Sequence, residues 1–233
     1  MKTVTDKNEV IDSLKVIPPL SIGVEGGRND STLLIGNYWP IYKRILEGKK
    51  VSRWEILWYI LTYKFRKVEK FTNAHMFVYV GGGDNTVIET VPAKISYVLF
   101  SLPHGKVEKT DLKDKIHKDN WFRLYKNINM TVVGMQNAKS FLFGSIGKVY
   151  DLEAFLGFLD TDPNSEHNLS DAQICSESAT DAVRESGVTF MDNTKSFKVH
   201  PQEAQEYLES EQGKSDGWIK VIEWGGEKVT IHD

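Results

Sequence analysis

Cysteine is almost missing: Cys175 is the one thiol among 233 residues. A lone thiol closes no internal disulfide, so the fold does not depend on an oxidising compartment. An excess of charge of one sign is missing too. Lys and Arg number 29 against 32 Asp and Glu, a net charge of -3, and that balance lacks the basic face of a nucleic-acid binder. No apolar run approaches the roughly 20 residues that a bilayer-spanning helix needs, and there is no internal repeat or low-complexity tract. Met1 to Val10 is polar and mixed in charge, without the apolar centre of a secretory signal. The expectation is cytoplasmic synthesis, with delivery by a phage particle or a dedicated secretion system left open. No group of His, Cys and carboxylates has metal-ligand spacing. Gly81-Gly82-Gly83 lacks the Lys-Ser/Thr and the following helix of a phosphate loop. Neither a metal nor a cofactor is expected.

What is present is an ordinary globular balance, 40% hydrophobic and 26% charged, enough for a sizeable core in a single domain over residues 1–233. Residues 1–17 read as a helical or frayed lead ended by Pro18-Pro19, and Gly23 to Ser31 reads as a loop by its glycines. Helices are predicted from Trp39 to Leu46 and from Ser52 to about Lys67, the second opened by a Ser52/Glu55 capping box. Ala74–Val80 and Thr86–Val91 read as a hairpin around a glycine turn. Lys94–Leu99 and Trp121–Tyr125 read as further strands, with a short charged helix over Asp111–His117. Helices follow over Asn129–Phe143, from Asp151 to Leu159, from Cys175 to the stop at Gly187, and from Pro201 to Ser210. Residues 160–168 read as an exposed loop, and two strands close the chain at Gly217–Trp224 and Lys228–His232. The pattern is α+β with a mainly antiparallel sheet. It divides into a helical N-terminal elaboration (1–70), a core (74–187), and a C-terminal helix with strands (188–233).

Three residues carry candidate chemistry. Cys175 opens a helix, where unpaired N–H groups and the positive end of the dipole stabilise a thiolate. The alternative is a small buried hydrophobe, but Ser176, Glu177 and Ser178 make its surroundings polar. His75 opens an apolar strand and is the candidate base. Glu89 lies inside the apolar run Val87-Ile88-Glu89-Thr90-Val91, where a carboxylate is costly unless partnered. Across a hairpin it would reach His75 and orient the imidazole; otherwise it faces water on an edge strand. His167 reads as solvated, and His104, His117, His200 and His232 lie in polar or terminal contexts.

The order Ala74-His75-Met76-Phe77-Val78-Tyr79-Val80-Gly81, Thr86 to Val91, Lys148-Val149-Tyr150-Asp151 and Ile174-Cys175-Ser176-Glu177 resembles the YiiX-like group of permuted papain-fold proteins, within the NlpC-type superfamily. The matching segments span residues 74 to about 187. The resemblance implies a circularly permuted papain-like fold, with the His before the Cys in the chain. It implies Cys175 as nucleophile, His75 as base and Glu89 as third polar residue, with Tyr150, Asp151 and Ser176 lining the substrate site. Met76 and Phe77 stand where members often carry a small residue and glycine, and Ser178 where Leu is common; both bear on pocket shape. The expected activity is hydrolysis of an amide bond in a peptide, possibly of cell-wall type. The alternatives are a lipid or thioester hydrolase or acyltransferase, and a non-catalytic binding or virion structural module. The expected partner is thus a peptide or acyl substrate, with no nucleic acid.

Trp54 to Tyr63 is apolar nearly all round. It reads as a core helix or a wall of the cleft, with Trp54, Trp58 and Tyr63 packed on the domain, in preference to a membrane-contacting helix backed by Lys64, Arg66, Lys67 and Lys70.

Overall fold

Apolar residues that alternate along successive strands build one ten-stranded sheet, and the two faces of that sheet have different work to do. A computed structural model describes residues 2–4, 12, 17–27, 30–62, 73–81, 85–91, 105–151, 172–226 and 228–232. The strands are β1 (Lys2–Val4), β2 (Ser21–Gly27), β3 (His75–Tyr79), β4 (Thr86–Val91), β5 (Lys106–Asp111), β6 (Asn120–Asn127), β7 (Val149–Tyr150), β8 (Ala172–Gln173), β9 (Trp218–Trp224) and β10 (Val229–Ile231). Their order is β1-β10-β9-β6-β2-β3-β4-β5-β7-β8. The β7–β8 pair is parallel, and the others are antiparallel. Six α-helices accompany them among the described residues: α1 (Asp30–Leu46), α2 (Arg53–Thr62), α3 (Val132–Ser145), α4 (Cys175–Glu185), α5 (Pro201–Glu209) and α6 (Glu211–Ser215). The chain is therefore α+β, with a mostly antiparallel sheet.

Strand period 2 sorts the core. Ile22 and Val24 of β2, Met76 and Val78 of β3, and Ile88 of β4 point to one face. There they meet Ala138 and Leu142 of α3, Ala179, Ala182 and Val183 of α4, and Ala204 and Leu208 of α5. Phe77, Tyr79, Val87, Phe122 and Leu124 point to the opposite face and pack with Leu112, Ile116, Val221, Trp224 and Val229. A third cluster joins Tyr38, Ile41, Tyr42 and Ile45 of α1 and Ile56 and Tyr59 of α2 to Tyr150 and Ile174.

Several expectations need correction. Gly23 to Ser31 is not a loop: its first part is β2, paired with β3 and β6 near the middle of the sheet, and α1 begins at Asp30. The glycine-rich text misleads because Gly23 is extended and serves a close approach. A Cβ there would lie 2.1 Å from Cζ of Phe77, its cross-strand partner. The N-terminal segment is not only helical, since it also supplies β1, which pairs with β10 near the other end of the chain. The helix expected from Trp39 to Leu46 begins earlier, at Asp30, and runs through Pro40. Strand β5 was absent from the sequence reading, because Lys106-Val107-Glu108-Lys109-Thr110-Asp111 alternates only one strong apolar residue with charge. The Ser52/Glu55 capping box is half formed: Ser52 Oγ accepts from the Glu55 N–H at 3.1 Å, while the Glu55 carboxylate pairs with Arg44. The expected strand at 94–99, the helix over 151–159 beyond its first residue, the loop at 160–168 and the extension of α2 over 63–67 lie outside the described residues, as do His104 and His167.

The packing of Phe77 over Gly23 yields a direct test. Gly23→Ala forces the ring off its seat, and overpacking of this kind costs about 1–3 kcal/mol. A denaturant melt should show that loss, whereas the same change at Gly144, where an added Cβ meets nothing within 4 Å, should leave stability equal or higher.

Candidate active site

Period 2 also places Glu25 on β2, His75 on β3 and Glu89 on β4 toward the same face as Phe77. Glu25 is the cross-strand partner of His75, but Glu89 is opposite Phe77 rather than His75. It reaches the imidazole along the diagonal, a span that a long side chain covers. His75 Nε2–H donates to Glu89 Oε2 at 2.6 Å. With Nε2 so engaged, Nδ1 is the nitrogen left to face the thiol. His75 and Cys175 share a hydrogen bond, which brings together a strand start and a helix start about 100 residues apart in the chain.

Helix α4 positions the sulfur. Ile174 is its N-cap, and the Ile174 N–H donates to Glu177 Oε2 at 3.3 Å. Glu177 thus holds the first turn by reaching back to a backbone donor, the side-chain half of a capping box. The backbone N–H groups of Met76 and Ser176 donate to the Cys175 sulfur. Burial by itself pushes the thiol pKa up. The charge and hydrogen bond of His75, with those two backbone donors, outweigh it and hold the thiol below its ordinary value. Burial likewise pulls the imidazole pKa down, but the Cys175 charge and the Cys175 and Glu89 hydrogen bonds raise it to about 10. Opposite shifts in two touching groups describe a thiolate–imidazolium pair.

Glu89 carries more than the sequence suggested. It is 6% exposed, and burial raises its pKa, yet His75 and Lys115 together hold the carboxyl well below the usual carboxylate range. Thr110 Oγ1 donates to Glu89 Oε1 at 2.5 Å, and Lys115 Nζ donates to Glu89 Oε2 at 2.7 Å. The same ammonium donates to Glu25 Oε2 at 2.7 Å, and Asn120 Nδ2 donates to Glu25 Oε1 at 2.6 Å. Lys115 is itself buried; burial lowers its pKa, but Glu25 and Glu89 more than reverse this and keep it protonated. Its Nζ lies 4.7 Å from the centre of the Phe77 ring, in reach of a cation–π attraction. The donor atoms of Glu25, His75 and Glu89 fall within 4.8 Å of one another, a spacing that would suit a metal ion. Here the Lys115 ammonium bridges the two carboxylates and supplies the positive charge.

The remaining predicted site residues are close by. Strand β7 runs parallel to β8, pairing Tyr150 with Gln173, and the Asp151 N–H donates to the Gln173 carbonyl at 3.1 Å. Both residues therefore flank the chain that enters α4. Tyr150 is buried; burial, then the charges of Cys175 and Asp151, raise its hydroxyl pKa, and the Cys175 influence marks it as a neighbour of the sulfur. Asp151 is fully buried. Ser176 is buried as well, and its hydroxyl has no hydrogen-bond partner among the described residues; what it brings to the sulfur is its backbone N–H. Tyr150 and Ile174 share one buried cluster with α1 and α2, in which Tyr59 of α2 meets Tyr38 of α1 edge-on, ring centres 6.1 Å apart. The expected packed face was wrong: Trp54 is 79% and Trp58 64% exposed, and Tyr63 lies outside the described residues.

Sequence reasoning missed Lys115, Glu25, Thr110 and Asn120. Lys115 sits in Leu112-Lys113-Asp114-Lys115-Ile116-His117-Lys118, which reads as a solvated charged turn. Glu25 alone left a trace, as a carboxylate two residues from Gly23 and one from Val24. His200, expected in a polar context, is buried. It caps α5 by accepting from the Gln202 N–H through Nδ1 at 3.1 Å and stacks on Trp39 at 4.8 Å; burial lowers its pKa to about 3.

No protein-family model matches the chain, and a search of curated proteins finds no relative.

Three substitutions test the network. Lys115→Met strips a buried ammonium from two carboxylates and should cost about 3–5 kcal/mol, as breaking buried pairs does; a melt near neutral pH measures it. Adding Glu25→Gln to that variant should recover part of the loss, because one uncompensated carboxylate disappears. Glu89→Gln, which the sequence alone predicts to spare stability, should instead lower the melting temperature together with thiol reactivity, since it removes the negative charge that partners both His75 and Lys115 and replaces one acceptor oxygen with a donor.

Proposed function

We propose that this chain is a cysteine hydrolase of papain-like type, with Cys175 as nucleophile, His75 as base and Glu89 as orienting carboxylate. The observation that carries the reading is the continuous chain Cys175–His75–Glu89, with the thiol pKa lowered and the imidazole pKa raised. A structural buried cysteine does not need an imidazolium beside it, and an isolated buried histidine would be neutral. The order of His before Cys, with the Cys at the start of a helix that packs on an antiparallel sheet, is in keeping with the permuted papain-like arrangement of the YiiX-like group.

The chemistry follows from the placement of charges. The Cys175 thiolate attacks the carbonyl carbon of an amide or ester, and the carbonyl oxygen takes up the negative charge. Cys175 is the first residue of α4, so its own N–H is among those with no acceptor within the helix; directed at the oxyanion, it stabilises the tetrahedral state. The imidazolium gives its Nδ1 proton to the departing amine or alcohol as the carbon–nitrogen or carbon–oxygen bond breaks. This leaves a thioester on Cys175 and a neutral His75. Water then loses a proton to Nδ1 as its oxygen bonds to the thioester carbon. The carbon–sulfur bond breaks, the acid leaves, and the thiolate–imidazolium pair is restored. Glu89 stays ionised throughout, holding the ring by Nε2 so that Nδ1 keeps its aim. A peptide amide is the first substrate class. A lipid or thioester acyl group is the second, favoured by the exposed Trp54 and Trp58 on a helix whose buried side shares a cluster with Tyr150.

Alkylation across pH tests the reading. Iodoacetamide should label Cys175 rapidly at neutral pH, with a rate that falls only as the pH drops through the depressed thiol pKa. His75→Gln should move the midpoint above the free-thiol value of about 8.5. The stability side has a defined sign. The raised imidazole contributes fully below its unfolded value of about 6.5, and that contribution is lost as the pH rises through about 10. The lowered thiol contributes above its unfolded value and loses that contribution as the pH falls through its folded value. An ordinary alkylation midpoint in the wild type, unchanged by His75→Gln, would sink the proposal. Given an activated thiol, a panel of peptide amides, thioesters and phospholipids, with Cys175→Ala as control, assigns the bond.

A further inference from the structure

Helix α2 is apolar on both sides but buries only one. Ile56 and Tyr59 are buried, while Trp54, Leu57, Trp58 and Leu61 are 79%, 43%, 64% and 65% exposed. These four fall at i, i+3, i+4 and i+7, a single stripe along a helix. A helix apolar all round is ordinarily covered all round, so this stripe calls for an occupant. Charge says which. Between residues 43 and 70 the sequence holds nine Lys and Arg against three Asp and Glu, within a chain of net charge -3. Lys49, Lys50 and Arg53 are exposed at the start of α2. Lys64, Arg66, Lys67 and Lys70 follow the helix in sequence.

We infer that α2 is an interfacial docking helix for an anionic lipid bilayer. Its Trp54–Leu61 stripe would enter the boundary between headgroups and acyl chains while Lys49, Lys50 and Arg53 meet lipid phosphates and carboxylates. Two tryptophans on the stripe suit that boundary, where an apolar ring and an indole N–H are both accommodated. A second copy of the chain fits less well. A two-fold contact through α2 sets the same surface against itself, which brings the two sets of basic residues together. Full insertion is not what the helix offers: among the described residues no helix is long and apolar enough to cross a membrane. Docking by α2 would hold the site beside the bilayer, because the buried side of the same helix packs in one cluster with Tyr150 and Ile174.

The test uses the full chain and sedimentation with vesicles of phosphatidylcholine, with and without phosphatidylserine. The expected result is binding to the mixed vesicles only, weakened by added salt through screening, with a blue shift of tryptophan emission. Trp54→Asp with Trp58→Asp should reduce binding by about tenfold or more. Reversing Lys50 and Arg53 to Glu should reduce it by about 25-fold or more, about fivefold for each lost positive charge. These side chains are exposed, so the variants should keep the wild-type melting curve. If the aspartate pair does not fold, quenching of wild-type tryptophan emission by brominated phosphatidylcholine in the mixed vesicles reads stripe insertion directly. No binding to phosphatidylserine vesicles at low salt overturns the inference. So does binding that the aspartate variant retains in full, or a concentration-dependent dimer that the aspartate substitutions abolish without any vesicle binding. Docking does not involve the thiol, so Cys175→Ser should bind as the wild type does. Loss of vesicle binding with an activated thiol refutes docking alone, and binding with an inert thiol refutes the hydrolase alone.

Discussion

The buried Glu89 carboxylate is the constraint around which the site is arranged. A negative charge taken out of water is costly by several kcal/mol unless opposite charge and hydrogen-bond donors replace its hydration. Glu89 has all of these: His75 and Lys115 on Oε2, and Thr110 on Oε1. The Lys115 donor is in turn held by further contacts. Lys115 is tied to Glu25 and lies over Phe77, Glu25 is tied to Asn120, and Phe77 keeps its place because Gly23 has no side chain. The imidazole is thus aimed by a chain of contacts that crosses β2, β3, β4 and β5. A perturbation at Gly23, far from the sulfur in sequence, would travel to it through packed and hydrogen-bonded neighbours.

The sheet makes this affordable by separating its faces. Ile22, Val24, Met76, Val78 and Ile88 fill the face under α3, α4 and α5, so the apolar burial that stabilises the domain does not compete with the charged network for space. Glu25, His75 and Glu89 use the alternate positions of the same strands. Cys175 belongs to the helix side, as the first residue of α4. It meets His75 because each lies at the end of its element, where a side chain can turn past the sheet edge. The Met76 and Ser176 N–H groups then find the sulfur as an acceptor, and the helix start favours negative charge there.

The two N-terminal helices are joined to this centre by Tyr150 and Ile174. On α2, Ile56 and Tyr59 turn inward to the cluster that also holds Tyr150 and Ile174, and two tryptophans turn outward.

Local chemistry made much of the site legible in the text. A helix-opening cysteine, a strand-opening histidine and a carboxylate inside an apolar strand each break a local pattern, and such breaks mark where function competes with packing. The hairpin of β3 and β4, the α4 stop at Gly187 and the closing strands were legible for the same reason, since their signals lie within a few residues. Tertiary structure alone decided the rest. Glu25 entered the middle of the sheet because β3 and β6 offered it ladder partners, a pairing that glycine-rich text does not announce. Lys115 became a buried cation because two carboxylates from distant strands converged on it, and the same letters in a different setting would make a solvated turn. Which face of α2 is covered was also decided there. Both faces are apolar, so the residues alone cannot choose; the cluster around Tyr150 took Ile56 and Tyr59 and left Trp54 and Trp58 outside.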